Sequence, residues 1–171
     1  MRYHRKHIKS IKEQLLDAIL DESKSKEERA AYFEQLIVDL MIKLGYGRDN
    51  GSGKVTGKSH DGGIDGIIYE DLFGLNKITI QAKCLSREKT ISRATIQQFL
   101  GAMVNVRKGV FVTTAHFSKD AIQYAHSLQE KTIKLIDGDE LTDLMIKCGV
   151  GLIGTEDLSL YEIDRNYFTT A

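Results

Sequence analysis

Apolar residues recur at helical spacing through the first 45 positions of the chain. The first stripe lies within residues 3–22 and consists of Ile8, Ile11, Leu15, Leu16 and Ile19. The second follows a polar break and consists of Phe33, Leu36, Ile37, Leu40, Met41 and Leu44. Ser25 and Glu28 have the spacing of a capping box at a helix start, and Gly45 suits a helix end. The pattern therefore predicts two amphipathic helices.

Strands and helices alternate beyond the glycine-rich segment 45–63, which is expected to hold a short strand near Val55. The predicted order is strands 64–70 and 76–84, joined around Gly74, helix 92–105, strand 109–114, helix 118–128, strand 132–136 and helix 138–147. Ser118 suits the start of one helix, and Gly149 suits the end of the last. One helix, three strands and then alternating elements predict a mixed α/β sandwich.

The length of 171 residues suits one domain of ordinary size. We divide the chain into an N-terminal helical extension (1–24), a main domain (25–149) and a C-terminal tail (150–171). The tail is ambiguous, and its apolar residues around Tyr161 and Ile163 are compatible with an added edge strand. The helix of the extension has little chain to cover its apolar stripe. We therefore expect it at or near the interface of a homodimer or higher oligomer.

The chain is electrically neutral, with 24 Lys and Arg residues against 24 Asp and Glu residues. Neutrality counts mildly against a dedicated nucleic-acid binder, but it allows a local cationic groove beside acidic faces. No apolar run is long enough for a transmembrane helix, and no apolar signal core follows the basic N-terminus. Cys84 and Cys148 have no metal-ligand spacing, so reduced thiols in a cytoplasmic protein are the simplest expectation.

A glycine-rich turn and the strand after it contain the residues most suited to catalysis. Asp65 lies between Gly63 and Gly66, and Gln81 and Lys83 follow two positions apart on a predicted strand. Residues i and i+2 of a strand share a face, so this arrangement can place a carboxylate, an amide oxygen and an ammonium group around one point. Metal-assisted hydrolysis of a phosphodiester uses oxygen ligands and a positive charge of this kind.

Each of these residues also has an ordinary structural interpretation. An aspartate in a turn commonly accepts hydrogen bonds from nearby amides, and alternation along a half-exposed strand produces polar residues two apart. Lysine is frequent on edge strands. The segment 51–59 resembles a phosphate-binding P-loop, but Ser52 stands where the first glycine is required and no helix follows. We therefore reject a nucleotide-hydrolysing function.

Several ordered motifs resemble the Mrr-type restriction endonucleases of the PD-(D/E)xK nuclease superfamily. The similar segments are 55–59, 61–66, 74–75, 80–83, 96–102, 109–114 and 136–138. This family characteristically has glutamine in place of an acidic residue, as at Gln81. The chain contains no proline, and Ile64 stands where the superfamily has the proline before its aspartate. The resemblance implies a restriction-endonuclease-like αβββαβ core, in which helices flank a mixed central sheet.

The resemblance also implies a site that hydrolyses DNA with Mg²⁺ or Mn²⁺. Asp65 and Gln81 would hold the metal ion together with the backbone carbonyl of Ala82, and Glu34 would face the same site from the second helix. Lys83 would orient or activate the attacking water and stabilise the developing charge. A neutral amide is a poorer ligand for Mg²⁺ than a carboxylate, so the metal ion is expected to bind loosely without substrate.

Lys58 and Ser59 in the glycine-rich loop are expected to contact DNA. Gln97 on the following helix can contact the phosphate or brace the strand of Lys83, and Thr114 at a strand end can bond to phosphate or to backbone. The resemblance implies restriction of foreign or modified DNA, usually with a separate DNA-reading domain. Residues 1–24 are too few for such a domain, so a separate specificity domain or subunit is an expected partner. Two alternatives stay open. One is a non-catalytic DNA-binding or assembly module on the nuclease fold, and the other is a junction-resolving or repair nuclease.

Overall fold

A four-stranded sheet is the centre of the computed structural model, which describes residues 2–46, 64–71, 75–154 and 161–168. The helices of these ranges are α1 (Arg2–Ile19), α2 (Lys26–Lys43), α3 (Arg93–Ala102), α4 (Lys119–Ser127) and α5 (Gly138–Cys148). The strands are β1 (Gly66–Tyr69), β2 (Lys77–Lys83), β3 (Thr90–Ile91), β4 (Lys108–Thr113), β5 (His116–Phe117), β6 (Thr132–Ile136), β7 (Leu152–Gly154) and β8 (Tyr161–Ile163). The central sheet has the order β1-β2-β4-β6, with β1 antiparallel to β2 and the other pairs parallel. The predicted mixed α/β fold is confirmed.

Two hydrophobic cores cover opposite faces of the central sheet. On one face, residues of α1, α2 and α5 pack against Ile80 and other strand residues. On the other face, residues of α3 and α4 pack around Phe111. Phe111 is the parallel register partner of Gln81, and successive strand residues point to opposite faces. Gln81 therefore lies on the α3–α4 face, whereas Ala82 packs against the opposite core.

Three of the helix ends predicted from capping residues are present in the structure. The Ser25 hydroxyl accepts a bond from the Glu28 amide at 3.1 Å, and the Glu28 carboxylate accepts one from the Ser25 amide at 2.7 Å. Ser118 caps α4 by accepting a bond from the Ala121 amide. The last helix, α5, ends at Gly149, whose φ of 63° is in the left-handed region that glycine adopts without strain.

Two helices end three residues earlier than predicted. Helix α1 stops at Ile19 rather than at residue 22, because the Asp21 carboxylate accepts bonds from the amide and the hydroxyl of Ser23. Such a bond builds a turn in place of a further helical turn. Helix α3 stops at Ala102 and not at the predicted residue 105. The backbone of Asn105 has a φ of 57°. That angle lies outside the right-handed helical region.

The tail after α5 does not join the central sheet. Its strands β7 and β8 pair with each other in an antiparallel sheet of their own. Beyond β8, Phe168 enters the core beside Tyr32, with 5.9 Å between the ring centroids. The tail therefore contains strands, as expected, but they pair with each other and not with the edge of the central sheet. The rest of the predicted tail strand, and the short strand expected near Val55, fall outside the described residues.

The apolar stripe of α1 is covered within the chain. Ile11, Leu15 and Ile19 are at most 2% exposed and belong to the core shared with α2 and α5. Lys12 adds an ion pair to Asp139 of α5 at 2.8 Å. The expectation that this stripe is uncovered is therefore wrong, because α5 and the tail cover it. An oligomer with α1 at or near its interface stays a prediction.

The helices of the described ranges have apolar and polar sides. None of them is long and apolar enough to cross a membrane. The two cysteines, Cys84 and Cys148, are both free thiols and are half-buried.

Gly138, the first residue of α5, lies against the backbone just after β4. A Cβ atom at this position would lie 2.6 Å from the carbonyl oxygen of Thr114, a main-chain atom that cannot rotate away. We expect Gly138→Ala to lower the free energy of unfolding by about 1–3 kcal/mol, measured by urea denaturation. The control is Gly101→Ala in α3, where no atom lies within 4 Å of the Cβ position. The control should keep or slightly raise stability, and equal stability of the two variants would disprove the close contact.

Candidate active site

Asp65 lies immediately before β1, where the chain enters the central sheet. Its amide donates a hydrogen bond to the Ile80 carbonyl at 2.9 Å. Its carboxylate oxygen Oδ2 accepts a bond from the Ala82 amide at 2.7 Å. These two bonds hold the carboxylate against the carboxyl-terminal part of β2, which brings Asp65 together with the Gln-x-Lys segment.

Gln81 and Lys83 occupy the end of β2, as predicted. Gln81 is only 7% exposed, and Lys83 is half-buried. The Thr113 hydroxyl of the neighbouring strand donates a hydrogen bond to the Lys83 carbonyl at 2.8 Å. Lys83 is the last residue of β2, and its positive charge acts on the Asp65 carboxylate. The two charges therefore interact at one end of the sheet, although no ion pair within 4 Å joins them among the described residues.

Glu34 on α2 adds a second carboxylate to this end of the sheet. Burial raises the pKa of the Glu34 carboxyl, and the negative charge of Asp65 raises it further. Burial also raises the pKa of Asp65, although the bond from Ala82 and the charge of Lys83 lower it. Two interacting carboxylates whose charged forms are disfavoured by burial gain stability from a nearby cation.

The oxygen atoms around Asp65 fit a hard divalent cation. The carboxylates of Asp65 and Glu34, the amide oxygen of Gln81 and the main-chain carbonyl of Ala82 are ligand types that Mg²⁺ accepts. In the part of the chain that the structure describes, no group of three or more His, Cys, Asp or Glu residues could hold a metal ion. The set around Asp65 contains only two carboxylates and an amide, so it falls below that number. It suits a loosely held Mg²⁺ or Mn²⁺ ion better than Zn²⁺, which prefers nitrogen and sulfur ligands.

The residues predicted to contact DNA are in different situations. Thr114 is 2% exposed, and its hydroxyl bonds to both the carbonyl and the amide of Leu85, at 2.6 and 2.8 Å. It therefore braces the segment that follows β2. Gln97 is exposed on α3, and its contact with DNA stays a prediction. Lys58 and Ser59 lie outside the described residues.

Sequence reasoning missed the two short strands at this end of the sheet, β3 and β5. They are parallel to each other, and each is followed by a serine that caps the next helix, Ser92 or Ser118. A repeated signal in the sequence could have found them. An apolar residue, a serine and a basic residue occur at 91–93 and again at 117–119.

Comparison with known proteins identifies the family. The Mrr catalytic-domain model, which describes a restriction endonuclease, matches residues 25–145. The chain belongs to this family. The resemblance predicted from the motifs is therefore confirmed. The Mrr match also begins at the residue of the observed capping box, Ser25, and ends within α5.

One relative of this Mrr domain is the type IV methyl-directed restriction enzyme EcoKMrr of Escherichia coli strain K12. It is 34% identical over 161 residues, which cover 93% of this chain and 49% of that enzyme. The chain thus spans about half the length of the curated relative that it matches. Because it covers 93% of the chain, the match extends beyond the Mrr domain and reaches into α1.

Two solved restriction endonucleases share the fold. The DNA modification-dependent restriction endonuclease AspBHI superimposes with a TM-score of 0.65 and 20% identity, over 82% of this chain and 36% of that one. The MspJI restriction endonuclease, solved in complex with a 27-mer oligonucleotide, gives a TM-score of 0.58 and 20% identity. That superposition covers 80% of this chain and 31% of MspJI. The restriction-endonuclease-like fold predicted for the Mrr domain is confirmed.

Glu34→Gln is expected to stabilise the metal-free protein at pH 7.5 by a few tenths of a kcal/mol. Folding raises the pKa of this carboxyl, so the folded state binds the proton more tightly. Stability is then lost as the pH rises from the unfolded pKa through the folded pKa, and glutamine avoids that loss. The advantage of the variant should shrink as the pH falls toward 4.

Thermal unfolding in EDTA at pH 7.5 and pH 4 measures this difference. Glu27→Gln is the control, because Glu27 is exposed in the first turn of the same helix. An advantage of Glu34→Gln that stays the same or grows at pH 4 would be incompatible with the buried charge.

Proposed function

We propose that this Mrr domain is a metal-dependent DNA endonuclease that hydrolyses phosphodiester bonds in foreign or modified DNA. The observation that carries the proposal is the hydrogen bond from the Ala82 amide to the Asp65 carboxylate, which sets Asp65 beside Gln81 and Lys83. Membership of the restriction endonuclease family supports the reaction. The 34% identity to a methyl-directed restriction enzyme supports modified DNA as the substrate.

The oxygen ligands proposed for Mg²⁺ or Mn²⁺ come from Asp65, Gln81, Glu34 and the carbonyl of Ala82. When bound, such an ion supplies a Lewis acid for the phosphate and lowers the pKa of the attacking water. Asp65 contributes the ligand charge, and its bond to the Ala82 amide orients it before the ion arrives. Gln81 contributes a neutral oxygen, which leaves the site dependent on substrate phosphate for full affinity.

Lys83 is proposed to orient the attacking water and to stabilise the negative charge that develops on the phosphate oxygens. A charge that is already positioned stabilises a transition state without the cost of reorganisation. The main chain around Lys83 is fixed on both sides of the residue. Thr113 bonds to its carbonyl, and Thr114 bonds to both main-chain groups of Leu85.

Recognition of the modified base is assigned to another domain or subunit. Base discrimination needs side chains presented to the groove edges of DNA, whereas phosphate contacts carry no sequence information. Cleavage of both strands is simplest with two active sites, so a homodimer or higher oligomer belongs to the proposal. An interface at or near α1 stays a prediction, although the stripe of α1 is covered within the chain. A cytoplasmic location is also part of the proposal.

Plasmid cleavage tests this function. The protein is incubated with methylated and unmethylated plasmid, each with Mg²⁺, with Mn²⁺ or with EDTA. We expect cleavage that requires the metal ion. Because recognition of the modified base is assigned to another domain or subunit, this chain should cut the two plasmids alike. Binding of DNA without cleavage in either metal would overturn the nuclease and support a non-catalytic module. Preference for branched over linear duplexes would instead support a junction-resolving or repair nuclease.

A further inference from the structure

The strands β3 and β5 form a small shelf beyond the ends of β2 and β4. β3 begins seven positions after Lys83, the last residue of β2, and β5 begins three positions after Thr113, the last residue of β4. β2 and β4 are parallel neighbours, with Lys83 in register with Thr113. The shelf therefore lies at the same end of the sheet as the proposed active site.

The shelf has one side in the core and one side in solvent. Ile91 is 3% exposed, and Phe117 packs on Phe111 with 5.8 Å between the ring centroids. The register pair one position earlier, Thr90 and His116, is exposed. Side chains of neighbouring strand residues point to opposite faces, so the apolar pair anchors the shelf and the other pair faces outward. On that outward side, His116 lines a cleft with Glu13 of α1 and Asp139 of α5.

Basic residues lie at both ends of the shelf. Lys89 and Lys119 flank the two strands and are exposed, and no ion pair or side-chain hydrogen bond involves either lysine within the described ranges. Arg93 lies 3.4 Å from Asp120. Segments 83–93 and 113–120 together contain five Lys and Arg residues against two Asp and Glu residues, although the whole chain is neutral. These two segments thus carry a net positive charge, of which Arg87 is paired with Asp17 of α1.

We propose that the basic ledge, defined by Lys89, Arg93 and Lys119, binds the DNA backbone beside the phosphate that is cut. The inference rests on the proposed function, because DNA that reaches Lys83 must pass over this end of the sheet. Exposed lysines without an acidic partner are available to phosphate without first breaking an ion pair. The ledge positions the duplex and contributes no base specificity, because phosphate contacts carry no direct sequence information.

Binding of a fluorescent duplex, measured by anisotropy in EDTA over a range of salt concentrations, tests the ledge. Lys89→Gln/Lys119→Gln should weaken binding roughly tenfold or more at 100 mM salt. The slope of log affinity against log salt should become shallower by about two, or one for each lost phosphate contact. The change should be the same for methylated and unmethylated duplexes. Lys89→Arg/Lys119→Arg keeps the charge and should bind like the parent.

The matched control removes two equally exposed lysines from the other end of the domain, Lys43→Gln/Lys147→Gln. Helix α5 begins at Gly138, against the backbone of Thr114 at the ledge end, and Lys147 lies about 13 Å further along it. Lys26, at the start of α2, lines a cleft with the segment after β2. Lys43 lies about 25 Å further along the same helix, away from that segment. The control should leave both affinity and salt slope unchanged. Circular dichroism verifies that all variants fold.

The outcomes separate the ledge from the function on which it rests. A parent that binds and cleaves DNA, together with ledge and control variants of unchanged affinity, would overturn the ledge and leave the nuclease standing. Equal weakening by the ledge and control variants would overturn it as well, since total charge would then explain the effect. A parent that neither binds nor cleaves DNA would reject both proposals. Selective weakening by the ledge variant, with the shallower slope, supports it.

Discussion

Lys83→Ala is expected to lower the rate of plasmid cleavage by roughly a hundredfold or more while leaving DNA binding largely intact. The lysine charge is most valuable when negative charge develops on the phosphate, so its loss affects the transition state more than the bound substrate. Lys83 is half-buried, and its carbonyl is held by Thr113 at 2.8 Å. The main chain that carries this charge is therefore fixed before the reaction begins.

Single-turnover cleavage and anisotropy binding on the same plasmid-derived duplex separate the two effects. Lys77→Ala is the matched control, because Lys77 is an exposed lysine at the opposite end of the same strand. The control should cleave like the parent. A folded Lys83→Ala protein that cleaves as fast as the parent would remove Lys83 from the active site.

Asp65→Ala is expected to abolish metal binding and cleavage together. The carboxylate supplies the ligand charge, and it also holds the Ala82 amide at the end of β2. Asp65→Asn separates these roles, because an asparagine oxygen can still accept the bond from Ala82 but carries no charge. Both variants should therefore lose activity, whereas only Asp65→Ala should also leave the Ala82 amide without its acceptor.

Calorimetric titration with Mn²⁺ and plasmid cleavage measure the two losses. Gln81→Glu provides the contrast, because it places a stronger ligand in similar geometry and should tighten metal binding with a milder effect on cleavage. If Asp65→Asn binds Mn²⁺ as tightly as the parent, the metal ion is held elsewhere and the proposed ligand set is wrong.

Local signals in the sequence predicted most of the fold. The capping box of Ser25 and Glu28 and the glycine at 149 mark helix ends because they satisfy backbone groups within a few residues. The strand carrying Gln81 and Lys83 was predicted from alternation and residue type, which are also local properties. In contrast, β3 and β5 have two residues each, too few for any periodicity to appear.

Contacts between distant parts of the chain could not be read from spacing. The bond between Asp65 and Ala82 depends on how two strands align, which no local pattern states. Coverage of the α1 stripe depends on the returning tail, where Phe168 enters the same core as Leu15. The hydroxyl of Thr114 was equally compatible with phosphate or backbone, and only the packed structure shows that Leu85 occupies it.

Metal-dependent nicking of supercoiled plasmid is the most direct test of an active site at Asp65 and Lys83. The parent and Asp65→Asn are purified in parallel and compared in Mg²⁺ and in EDTA. The parent should convert supercoiled plasmid to nicked or linear DNA in Mg²⁺ and not in EDTA, while Asp65→Asn should leave the plasmid supercoiled in both. Equal cleavage by the parent and Asp65→Asn, or cleavage by the parent that persists in EDTA, would contradict it.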